Sequence, residues 1–191
     1  MRALIIVLLV ALNIFIFSLA APRDLSVSFL DVGQGDAILI ESPTGTIMLI
    51  DGGADKSVLR ELGTHLSFFK KDIDVVMATH PDADHIGGLV DVFERYAVGV
   101  FIESGVAHDT SVTSALERAV NAEGSARTLA RRGMRLTLGG GSYADILYPD
   151  REVTHSETNA GSIIMRVVYG DNEFMLTGDA PKAVEGLLVS S

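Results

Sequence analysis

Residues 73–88, "IDVVMATHPDADHIGG", constrain the fold more tightly than any other stretch. The first seven, 73–79, read as a near-continuous apolar strand of the kind buried on both faces. A strand of that kind needs cover on each side, so the chain must build layers. Four ligand-type side chains follow at once: His80, Asp82, Asp84 and His85. Pro81 stops the strand ladder, and Gly87 and Gly88 permit close backbone approach. The spacing predicts a tight strand-to-helix loop carrying all four, with a helix from about Gly88 to Tyr96. Alternate side chains on such a loop converge at the sheet edge. One acid here would read as a helix cap or a solvated group. Four groups directly after a buried strand point to a metal site. Imidazole with carboxylate suits zinc, manganese or iron, and the carboxylates favour harder ions.

The flanking pattern supplies the layers. "LSVSFL" (25–30), "AILIE" (37–41) and "TIMLI" (46–50) read as an antiparallel meander broken by "DVGQGD" and "SPTG". A helix is expected over about 55–69, with Val58, Leu62, Leu66 and Phe69 on one face. Further strands are expected at 98–102, 134–138, 144–148, 162–170 and 173–179. Helices are expected from Ser111, as N-cap, to Asn121 and from Ala180-Pro181 onward. Strands alternating with helices predict an α/β sandwich with sheets inside. The glycine patterns of dinucleotide and phosphate loops and a G-x-S-x-G elbow are all missing.

Composition narrows the chemistry. The 191 residues contain no cysteine, so any metal relies on His, Asp, Glu or Asn. Residues 3–21 are apolar apart from Asn13 and Ser18 and follow Arg2. They read as a signal peptide cleaved after Ala20 or as an uncleaved anchor, with residues 22–191 forming an extracytoplasmic domain. Arg2 is the only charge in that leader, so the domain carries 14 basic and 25 acidic residues, a net −11. That balance argues against a free-standing duplex-DNA binder.

His80-x-Asp82-x-Asp84-His85 with Gly87-Gly88 resembles the metallo-β-lactamase superfamily signature in its H-x-D-x-D-H form. "FLDVGQGDAILIESPTGTIMLIDGG" (29–53) and "NAGSIIMRVVYGDNEFMLTGD" (159–179) resemble the hydrolase domain of ComEC-type DNA-uptake proteins. The resemblance spans about residues 25–189. It implies an αββα sandwich with two divalent ions, zinc or manganese, at one edge. His80 and Asp82 would serve one ion, Asp84 and His85 the second, and Asp179 would bridge, with Asp84 counted as catalytic. Asp51 would brace the ligand loop through hydrogen bonds. The implied reaction is hydrolysis of a phosphodiester, such as single-stranded DNA or a nucleotide, by a metal-bound hydroxide. The alternative is a truncated domain that binds metal or nucleic acid without turnover. Members of this branch continue past the "TGD" helix to a histidine that completes the second site. Here the chain ends at Ser191, which leaves three readings: a fragment, a truncated gene, or a site completed by water or a partner.

Other residues carry weaker expectations. Asn159 and Ser162 stand where the branch places residues near metal or substrate, and His155 is the less favoured candidate there. Asp36 in "GQGD" reads first as part of a structural turn and second as part of a flap beside the metals. His65 reads as a surface residue, and His108 as a loop residue that could line the cleft. Arg127, Arg131, Arg132 and Arg135 read as a solvated helix face, with phosphate tracking as the alternative.

Overall fold

A computed structural model of the chain describes residues 24–189. Ten strands among the described residues form two sheets. The six-stranded sheet runs β1 (Ser26–Phe29), β2 (Ile38–Glu41), β3 (Ile47–Ile50), β4 (Asp72–Ala78), β5 (Ala97–Glu103) and β6 (Ala126–Leu129) in spatial order. Its first three strands are the antiparallel meander, while β3 to β6 are parallel. The four-stranded antiparallel sheet has the order β10 (Asn172–Leu176), β9 (Ile164–Tyr169), β8 (Ser142–Tyr148), β7 (Arg135–Gly139). Helices α1 (Ser57–His65), α2 (Ala83–Arg95) and α3 (Ser111–Glu123) connect the parallel strands.

Alternation along each strand divides the core in two. Leu39, Leu49, Val76 and Phe101 face the helices and pack with Val58, Leu62, Leu89 and Leu116. Ile40, Met48, Ile50 and Met77 face the second sheet and pack with Ala144, Ile146, Met165 and Val167. Helix α4 (Lys182–Val189) sets Val184 against Tyr148, Val153 and Ile164. The mixed α/β layering expected from the sequence is therefore present. The leader, residues 1–21, lies outside the described residues.

Several boundaries moved, each for a tertiary reason. Helix α1 ends at His65, because Leu66 turns to extended backbone and buries its side chain. Phe69 is therefore off the helix and 86% exposed. Helix α2 starts at Ala83, five residues earlier than expected, so Asp84 and His85 sit on its first turn rather than on a loop. Thr110, not Ser111, caps α3, in a reciprocal capping box with Thr113. Strand β4 is buried on both faces only in its last residues, where it approaches the ligand cluster.

Strand β6 was not anticipated, and it overturns the reading of the arginines as one helix face. Arg127 lies on β6 and binds Glu103 and Glu117. Arg131 donates to the Ser104 and Ala130 carbonyls, and Arg135 on β7 pairs with Asp145. The four arginines are thus spread over β6, the turn after it and the start of β7, a placement that strand pairing decides.

Candidate metal centre

Strands β3 and β4 are parallel neighbours, so their carboxyl ends emerge side by side. Asp51 follows β3, and Thr79-His80 follows β4. Asp51 adopts φ 58°, the left-handed region, which costs a residue with a β-carbon about 1–2 kcal/mol. Its carboxylate is 1% exposed and accepts three hydrogen bonds. The donors are Thr79 N at 2.8 Å, Thr79 Oγ1 at 2.6 Å and His85 Nδ1 at 2.9 Å. Each bond to a charged group contributes about 1.5–3 kcal/mol, which outweighs the backbone strain.

These bonds decide the histidine tautomers. Thr79 Oγ1 spends its proton on Asp51, so it accepts from His80 Nδ1 at 3.0 Å. His85 likewise donates from Nδ1 to Asp51. Both rings therefore direct a bare Nε2 lone pair away from the brace whenever they are neutral. The rings lie 4.1 Å apart between centroids. His80 Nε2 is buried and has no hydrogen-bond partner. An orphaned buried acceptor is costly unless something else satisfies it.

Carboxylates surround these lone pairs. Asp82 Oδ2 stands 3.6 Å from His80 Nε2, and Asp179 Oδ1 stands 3.7 Å from His85 Nε2. Two donors sharing a tetrahedral zinc at about 2.1 Å lie roughly 3.4 Å apart, close to these separations. Asp82 occupies the N-cap position of α2, yet its side chain makes no capping bond. It forgoes about 1 kcal/mol there and stands beside His80 instead, which disfavours the simple capping reading. Among the described residues, two groups have ligand atoms that lie within 4.8 Å of one another: Asp51, His80 and His85, and Asp36, His85 and Asp179. The donor set fits a divalent cation.

The "GQGD" loop closes over this edge. Asp84 accepts from Gln34 Nε2 at 3.3 Å and, among the described residues, joins neither ligand group with the other acids. A β-carbon on Gly35 would lie 1.6 Å from the Asp84 carbonyl oxygen, so only glycine allows this approach. The loop 51–55 and the start of α2 also meet backbone to backbone, with Gly52 N donating to His85 O at 2.7 Å. A β-carbon on Gly88 would lie 2.1 Å from the Gly52 oxygen.

Burial, followed by the positive charge of His85, lowers the His80 pKa and keeps that ring neutral. Burial also pulls His85 down, but the Asp51 hydrogen bond and the charges of Asp51, Asp179 and Asp84 outweigh it and push His85 up to about 9.

The remaining candidates are scattered. Ser162 is fully buried near Thr79 and Gly178, and its hydroxyl has no partner. Asn159, itself exposed, opens a 3-10 turn three residues earlier. His65 and His155 are exposed. His108 lines a cavity of about 520 Å³ that reaches His80 and Pro81, with Phe101, Leu116 and Val120 among its apolar walls. Sequence reasoning passed over Thr79, the relay between Asp51 and His80, and Gln34. Neither residue type signals such a role without the partner in view.

A family model described as the metallo-β-lactamase superfamily matches residues 30–191. The chain belongs to the metallo-β-lactamase superfamily. Members of this superfamily are typically metal-dependent hydrolases. A Cronobacter sakazakii metallo-β-lactamase with a HARLDQ motif is similar in structure, with TM-score 0.55 and 16% identity over 79% of this chain and 58% of that one. The metallo-β-lactamase fold protein YhfI from Bacillus subtilis gives TM-score 0.54 and 17% identity over 81% and 62%. CmlA, a diiron β-hydroxylase from Streptomyces venezuelae, gives TM-score 0.50 and 17% identity over 83% and 30%. The chain thus spans about three fifths or less of each of these structures' length. No curated protein matches it.

Proposed function

We propose that this domain is a metal-dependent phosphodiesterase or nuclease of the ComEC type, acting on single-stranded DNA or a nucleotide. The observation that carries the reading is the convergence of His80 Nε2 and His85 Nε2, each ring held through its Nδ1, with Asp82, Asp179 and Asp36 around them. His80 and Asp82 would hold one divalent ion, and His85 and Asp84 a second, with Asp179 a ligand to both. Asp84 accepts from Gln34 here and would give up that contact to serve as a ligand. Asp36 adds a carboxylate beside His85. Bound zinc or manganese would supply Lewis acidity and a water that ionises near neutrality. Asp51 and Thr79 hold both imidazoles in the tautomer that presents Nε2. The "GQGD" loop covers the edge and limits bulk water. Two ions bring four positive charges to a domain of net −11, which makes the edge the attractive place for a phosphate. The apolar leader supports an extracytoplasmic site.

Elemental analysis and phosphodiester hydrolysis test this together. The expected result is two metal equivalents per chain and chelator-sensitive cleavage of bis(p-nitrophenyl) phosphate. One equivalent or none, with no cleavage, would favour the non-catalytic binding domain.

Proton release gives a second check. With its pKa pushed up to about 9, His85 carries a proton at pH 7.5 in the metal-free chain. Binding of an ion at Nε2 must expel it. Calorimetry in two buffers of different ionisation enthalpy should show about one proton released per chain from this residue, with apparent affinity rising until about pH 9. An affinity flat between pH 7 and 9 would mean that His85 is not both charged in the metal-free chain and a ligand in the loaded one.

A further inference from the structure

The connection between α1 and β4 carries Phe68 and Phe69, which are 80% and 86% exposed. Their rings meet edge to face, 5.5 Å apart. Lys71 Nζ lies 5.2 Å from the centre of the Phe68 ring, and Lys70 pairs with Asp72 at 2.7 Å. Two adjacent phenylalanines held out in water form an apolar tip, and such a tip marks a contact surface. Lysines beside it can lay their stems along apolar groups while their charged heads stay in water.

The sheet topology says which partner fits. Strands β1, β3 and β4 run in the same direction, because β2 is antiparallel to both β1 and β3. Their first residues therefore share one end of the sheet. Chain residue 24 enters β1 at that end, and the Phe68–Phe69 tip enters β4 at the same end. The two points are three strand spacings apart, about 14 Å. The residues before that entry, 3–21, are apolar apart from Asn13 and Ser18 and of bilayer-spanning length. Asp51 and His80 follow the opposite ends of β3 and β4. No helix among the described residues is long and apolar enough to cross a membrane, so a contact made by the domain itself is a surface contact.

We infer that Phe68 and Phe69 insert into the interface of a lipid bilayer and, with the apolar N-terminal segment, hold the domain with its metal edge turned toward the aqueous phase. Lys70 and Lys71 lie at headgroup level. Asp72 and Asp74 share this end, but Asp72 pairs with Lys70 and Asp74 accepts from Ile47 N.

The chain contains no tryptophan, so one introduced indole is a clean probe. The full-length chain bearing Phe69→Trp is added to vesicles of phosphatidylethanolamine and phosphatidylglycerol. The expected result is a blue-shifted emission, quenched about twofold or more by acyl-brominated lipid, as an interfacial depth of about 5–10 Å requires. Phe68→Ser in the same background should lower that quenching. Phe29→Trp, at the other end of β1 and 69% exposed in the native chain, should keep a water-like, unquenched emission. Vesicle-bound protein with a water-like indole at position 69 overturns the inference. So does a blue-shifted but unquenched indole, which would mean burial against protein, and so does a failure to associate with the vesicles.

Discussion

Asp51→Ala is expected to destabilise the fold by about 3–5 kcal/mol, the range for removing one partner of a buried ion pair. The substitution strands Thr79 N, Thr79 Oγ1 and His85 Nδ1 in a buried site and leaves alanine at φ 58°. With a urea slope of about 2 kcal/mol per molar, the unfolding midpoint should fall by about 2 M. Asp51→Asn should recover part of the loss, because asparagine tolerates the left-handed region and can still accept. The effect should also depend on pH. The folded His85 pKa is raised to about 9 from 6.5, so the Asp51–His85 pair stabilises fully below pH 6.5 and loses that contribution as pH rises through about 9. The gap between native chain and Asp51→Ala should therefore narrow in alkali. His80 acts in the opposite sense. Its lowered pKa makes protonation costly in the folded state, so stability falls as pH drops below 6.5. A midpoint shift below about 0.5 M for Asp51→Ala would show that the brace is energetically idle.

His80→Ala is expected to have the largest effect on activity. It removes the buried Nε2 that has no protein partner and the group that Asp82 faces. Loss of an outer support typically costs 10- to 100-fold in metal affinity or activity, so loss of a ligand should cost at least about 100-fold in phosphodiester turnover. One metal equivalent should disappear by elemental analysis. Stability should change far less than turnover at neutral pH. The imidazole's one hydrogen bond is to Thr79, and its removal also removes an unsatisfied buried acceptor. Full turnover with two retained ions would exclude His80 from the site.

Much of the fold follows from local pattern. The antiparallel meander of residues 25–50 and the buried strand ending at Ala78 showed in alternation and apolar runs. What local pattern misjudged was length and partner. The periodicity through Leu66 and Phe69 continued a helix on paper, but burial of Leu66 turned the backbone and left Phe69 in solvent. Pro81 and the glycines suggested a tight loop running up to Gly88, whereas Asp82 closes the first turn of α2 through its carbonyl. Strand β6, ARTL, buries none of its four residues fully, so neither an apolar run nor an apolar alternation marks it.

The candidate site divides the same way. Its ligand types were visible in "HPDADH", because metal chemistry needs those side chains and short spacing brings them together whatever the rest of the chain does. Tertiary structure alone decided how they are used. Asp51 is 34 residues from His85, yet its carboxylate selects the tautomer of that ring directly and, through Thr79, that of His80. Gln34 reaches Asp84 across 50 residues, and Asp36 joins Asp179 from the far end of the chain. Hydrogen-bond direction and burial are properties of contacts between strand ends. Those contacts exist only once the parallel pairing of β3 and β4 has brought the two ends side by side.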